Sequence, residues 1–149
     1  MIQDFYQRCF IGIPIPTEFL PVYIDTQLYL KNQIKYISLE KKDRAHITLY
    51  YLGNMIQEFI NEVDQIIRPI MRRYIPSKLT FAGIKCFADK TPKTLFFDIE
   101  NADWLYLLND ELAKSLKTYN FQERDFKPHM TIARLRRKEA KDAYLSNRK

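Results

Sequence analysis

Twice along the chain, short runs rich in β-branched and aromatic residues give way to longer stretches whose apolar residues recur at helical spacing. A pattern that keeps changing its period excludes an all-helical or all-strand protein and leaves a mixed fold. Arg8–Pro14 is a compact apolar run closed by proline and reads as a buried strand. Pro16-Thr17-Glu18 opens a helix carrying Phe19, Leu20, Tyr23, Ile24, Leu28 and Leu30, with Pro21 tolerated only in its first turn. Lys35–Leu39 and Ala45–Leu52 read as strands, the second closed by Gly53-Asn54. Ile56–Tyr74 reads as a helix that Pro69 should kink or end. The order then repeats. Leu79–Phe87 and Thr94–Ile99 are strand-like around a polar turn at Asp89–Lys93, and a helix capped by Asn101 or Asp103 runs to about Tyr119. Pro128–Leu135 is a last strand, followed by a charged tail with a short helical stretch at Glu139–Ala143.

The reading is therefore α+β. No Pro-, Gly- or Ser-rich linker divides residues 1–149, which are expected to form one domain built as a pseudo-repeat. With three glycines in 149 residues, a glycine-rich phosphate cradle is not expected. The apolar stretch Cys9–Ile15 is too short and too interrupted for a signal peptide or membrane span, so no membrane association is expected. Cys9 and Cys86 lack metal-ligand spacing and are expected as reduced, buried small residues of a cytoplasmic protein. The net charge of +6 gathers in two blocks, residues 68–93 with seven Lys/Arg against one Asp, and residues 121–149 with nine against four. Such blocks suit a polyanionic partner, although a solvated basic surface has the same composition.

The chain has two histidines, and both stand in the same frame: Ala45-His46-Ile47-Thr48-Leu49 and Pro128-His129-Met130-Thr131-Ile132. In a strand, alternation places His46 with Thr48, and His129 with Thr131, on one face, while the apolar residues turn to the other. A single histidine in a strand is more often a packing residue than a catalyst. Two with threonine at the same offset are hard to explain by composition, since only eight of 149 residues are threonine. Paired imidazoles suit the opening of a cyclic phosphodiester: one ring takes a proton from attacking water while the other gives one to the departing sugar oxygen. The threonine hydroxyls can donate to the non-bridging oxygens, whose charge grows in the transition state. No metal is then needed, and no H-E-x-x-H or C-x-x-C set is present. Arg134 is a candidate phosphate clamp, but regular alternation puts it on the face opposite Thr131 unless the strand bends. Lys127, Arg136, Arg137 and Lys138 could extend a nucleic-acid groove, and Phe10, Tyr50 and Tyr51 could stack a base, though most aromatics near strands are core.

These residues resemble the 2H phosphoesterase superfamily, in its 2′-5′ RNA ligase-like, or RNA 2′,3′-cyclic phosphodiesterase, branch. Arg8–Pro14 is similar to that branch's opening strand, Arg44–Gly53 to its first motif, and Phe126–Arg134 to its second. The resemblance implies a bilobal, pseudo-symmetric fold with two antiparallel sheets facing a groove, helices outside, and one His-Thr pair from each lobe. It implies hydrolysis of a 2′,3′-cyclic phosphate on RNA or a small nucleotide to a 2′-phosphate without metal or nucleotide cofactor, and the chain is expected to act as a monomer. It further implies His46 as general acid, His129 as general base, and Thr48, Thr131 and Arg134 as phosphate ligands. Family members commonly continue past the second motif with a helix and a further strand, so a smaller second sheet is expected here. A ligase running the same step backwards, a non-catalytic RNA-binding module, and branches acting on ADP-ribose cyclic phosphate or 2′-5′ oligoadenylate are the alternatives.

Overall fold

The computed structural model describes residues 5–74, 78–86, 94–122 and 124–135. In chain order these form β1 (Gln7–Pro14), α1 (Leu20–Gln33), β2 (Ile37–Leu39), β3 (His46–Met55), α2 (Gln57–Tyr74), β4 (Thr80–Cys86), β5 (Thr94–Glu100), α3 (Asp103–Ser115) and β6 (His129–Leu135). This is the expected α+β class. The strands link in the order β1-β3-β6-β5-β4, with β2 also paired to β6, and the β6 pairings with β2, β3 and β5 are antiparallel. The turn expected at Asp89–Lys93, the helical stretch at Glu139–Ala143, and Arg136, Arg137 and Lys138 lie outside the described residues. Among the described residues, no helix is long and apolar enough to cross a membrane.

The chain divides into two compact units. The first comprises the described parts of Met1–Ile13, Thr48–Thr80 and Ile99–Pro128. Its α3 buries Leu105, Leu108 and Leu112, followed by Leu116, a helical stripe packed with α2. Arg73 and Tyr74 at the end of α2 both donate to Glu111 of α3, the tyrosine at 2.7 Å. Asn109 of α3 donates its amide to the Leu49 carbonyl of β3 at 2.6 Å. The second unit comprises Pro14–Ile47, Phe81–Asp98 and the described part of His129–Lys149. There α1 packs against β2 and β6, burying Tyr23, Gln27 and Leu30, and Phe19 stacks on Phe81 with ring centroids 3.9 Å apart.

Several local expectations change. β3 does not stop at Gly53-Asn54 but runs to Met55, because Gly53 adopts φ +76° without breaking the strand. Of the two outcomes expected at Pro69, an end is excluded, since α2 continues through it to Tyr74. Neither Asn101 nor Asp103 caps α3: Asn101 takes a left-handed turn at φ 52°, and the capping position falls on Ala102. The strand expected from Lys35 begins only at Ile37, after Tyr36 turns through φ 62°. On α1, Tyr23 and Leu30 are buried as expected, but Leu28 is exposed and Gln27 is buried beside them. Cys9 and Cys86 are unpaired by disulfide but half-buried rather than buried.

Candidate active site

The pairing of β3 with β6 places Ile47 opposite Met130. Both side chains are fully buried, which fixes the core face of each strand. His46 and His129, one residue from that pair, therefore turn to the opposite face, and both are half-buried. Antiparallel register carries His46 back toward Thr131, which shares that face. Thr48 lies on the His46 face of β3 by alternation, but falls in the first unit, as the division of the chain runs between Ile47 and Thr48. His46, His129, Thr131 and Arg134 fall in the second. His46 and Thr48 thus fall on either side of that division, while His129 and Thr131 fall on one side of it.

The pairing of β5 with β6 decides the position of Arg134. Asp98, Phe97 and Phe96 stand opposite His129, Met130 and Thr131, but Leu95 and Thr94 then stand opposite Ala133 and Arg134. β6 thus carries one extra residue, Ile132, which has no partner on β5. Thr94, Phe96 and Asp98 alternate onto one face, so their partners His129, Thr131 and Arg134 share it too. The extra residue shifts the alternation by one, and Arg134 joins the histidine face despite its odd spacing from Thr131.

Each ring has a distinct setting. His46 Nδ1 is 2.6 Å from the Arg44 carbonyl, which only accepts, so Nδ1 is the donor in this contact. His129 meets the Phe96 ring edge to face at 5.2 Å and is in register with Asp98, whose carboxylate pairs with Lys85 at 2.6 Å. Arg134 pairs through Nη1 with Glu40 at 2.9 Å, leaving four of its five N–H donors outside that bond. Behind β6, Tyr23 donates to the Thr131 carbonyl at 2.8 Å, and Gln27 donates to the carbonyls of Ile132 and Glu40 at 3.1 and 2.7 Å. Burial pushes the Tyr23 phenol well above the usual tyrosine range; nearby Glu40 adds to this and Arg134 opposes it, so the hydroxyl stays a donor. Among the described residues, no group of three or more His, Cys, Asp or Glu is placed to hold a metal ion.

Of the suggested base-stacking residues, Tyr50 meets Phe121 edge-on at 6.1 Å and belongs to the packing of the first unit. Phe10 and Tyr51 are exposed, 6.5 Å apart, with the Arg124 guanidinium 4.6 Å above the Tyr51 ring. Sequence reasoning missed Tyr23, Gln27 and Glu40. The signal available was the spacing of Tyr23, Gln27 and Leu30, which puts a glutamine on a helix's buried stripe.

The fold matches solved structures closely. E. coli LigT in its apo form superposes with a TM-score of 0.70 at 18% identity, over 91% of this chain and 76% of that one. The family model described as the 2′-5′ RNA ligase superfamily matches residues 31–147, and the chain belongs to this family. It is 30% identical over 97 residues to an RNA 2′,3′-cyclic phosphodiesterase of Thermotoga maritima, covering 64% of this chain and 52% of that protein. It is 28% identical over 140 residues to the protein of that name in Bacillus subtilis, covering 89% and 74%. The chain therefore spans about half of the Thermotoga protein's length.

Proposed function

We propose that this chain hydrolyses 2′,3′-cyclic phosphates, on RNA ends or small nucleotides, to 2′-phosphates. The observation that carries this reading is the register around β6, which faces His46, His129, Thr131 and Arg134 the same way over a packed core. The names of the relatives support the same substrate class. In the proposed step, His129 takes a proton from water as its oxygen bonds to phosphorus. The bond from phosphorus to the 3′ oxygen breaks, and His46 Nε2–H protonates that oxygen. Thr131, Thr48 and Arg134 donate to the non-bridging oxygens, where charge accumulates. No residue forms a covalent intermediate, so a single displacement leaves the phosphate on the 2′ oxygen. The protein is proposed to act as a cytoplasmic monomer on RNA without a metal or cofactor.

The test is turnover of a 2′,3′-cyclic nucleotide in excess chelator, with chromatography separating the 2′- and 3′-monophosphates. Exclusive 2′-phosphate, lost in His46→Ala and His129→Ala, is expected. Undiminished turnover in either variant would end the assignment. The family description favours one further reading, joining of RNA ends by the reverse step with a 5′-hydroxyl replacing water. Gel analysis of RNA halves with cyclic phosphate and 5′-hydroxyl ends separates the two directions.

A further inference from the structure

Two buried polar side chains on α1 spend their hydrogen bonds where β6 departs from regular pairing. A residue inserted into a ladder leaves its own backbone groups unmatched by that partner strand, and a buried carbonyl without a partner is destabilising. Here the carbonyl of the extra residue, Ile132, accepts from Gln27 Nε2 and from the Glu40 amide at 2.9 Å, and the Thr131 carbonyl before it accepts from Tyr23. Gln27 uses its second amide hydrogen on the Glu40 carbonyl, while the Glu40 carboxylate holds Arg134. The circuit closes: α1 binds the irregular step of β6 and the residue that orients the guanidinium beyond it.

We propose that Tyr23 and Gln27 are positioning residues, which hold the extra residue of β6 in place and thereby keep Arg134 on the face of His129 and Thr131, where its guanidinium takes a phosphate. The proposal rests on the phosphate-site reading given above. A neighbouring motif supports it independently. In the first unit, Asn109 donates to the carbonyl of Leu49, the residue directly after Thr48, as Gln27 does to Ile132, the residue directly after Thr131. A helix-borne amide thus grips the same backbone position in both motifs. Only β6 has the second donor, Tyr23, and a basic side chain two residues further on. Without the α1 donors, a one-residue slip to regular pairing would turn every side chain beyond Thr131 to the other face and carry Arg134 away from the histidines.

The test is a double-mutant cycle read by binding of inorganic phosphate, followed by calorimetry, rather than by turnover. Tyr23→Phe removes one hydroxyl and keeps the ring. In the otherwise unchanged protein it should weaken phosphate binding roughly 2- to 10-fold. In an Arg134→Met background it should change nothing further, since the tyrosine acts through the arginine. Gln27→Leu should behave alike, and Tyr23→Phe serves alone should Gln27→Leu not fold. Equal weakening with and without Arg134, unchanged affinity in Tyr23→Phe, or no phosphate binding by the unaltered protein would each overturn the proposal. Failure to turn over a cyclic nucleotide, with the cycle intact, would instead overturn only the hydrolase reading.

Discussion

The two His-x-Thr segments share a tetrapeptide pattern yet are held differently. On β3, burial alternates residue by residue from His46 to Tyr50, the Arg44 carbonyl accepts from His46, and one helix-borne side chain, Asn109, holds the Leu49 carbonyl. On β6, alternation is interrupted at Ile132, and the segment is held from outside by two side chains of α1 and by the Phe96 ring. The difference shows what a motif specifies. The four residues set which side chains share a face with the histidine, and this follows from strand geometry alone. Whether a further residue such as Arg134 joins them depends on pairing partners far away in the sequence.

The largest effect that would sharpen the comparison is on turnover. His46→Ala and His129→Ala should each lower kcat by about 10²–10⁴-fold with the fold intact by circular dichroism, as removal of a general acid or base does. Next come the buried residues behind each motif. Ile47→Ala and Met130→Ala should each cost about 2–5 kcal/mol in denaturant unfolding, and equal values would mean that both segments rest on the core to the same degree. Arg134→Met should raise KM roughly tenfold or more with a smaller effect on kcat, the loss expected for a charge-assisted contact; an unchanged KM would remove β6's distinguishing feature.

Alkaline pH separates the segments more gently. Because the Tyr23 phenol titrates higher when folded than when unfolded, its contribution is complete below the unfolded value near 10 and is lost as pH rises toward the folded one. Between pH 8 and 11, therefore, the protein should lose about 1 kcal/mol more stability than Tyr23→Phe does, as read by urea midpoints. Smallest of all, Leu28→Gln on the exposed side of α1 should change stability by less than about 0.5 kcal/mol.

Much of the fold was legible because periodicity reports burial. Leu105, Leu108, Leu112 and Leu116 announced α3, and the alternation around Ile47 and Met130 announced two strands with histidines facing away from the core. The two histidines and Thr131 were legible by the same rule. What escaped depends on long-range pairing. Gln27 drew no attention because glutamine is usually exposed, and the carbonyls of Ile132 and Glu40 make its burial favourable. Arg134 looked misplaced because its face is set by an insertion relative to β5, a property of two strands together. Gly53 looked like a strand end, since a glycine at φ > 0 serves a turn as readily as an extended strand.

With only two histidines in the chain, their ring Hε1 protons give two resonances for a proton NMR spectrum, assignable by the two alanine variants. Titration with a nucleoside 2′-monophosphate, the proposed product, asks directly whether both imidazoles serve one phosphate. Both resonances should shift along curves with a single Kd. Movement of one resonance while the other stays still at saturation would contradict the shared site.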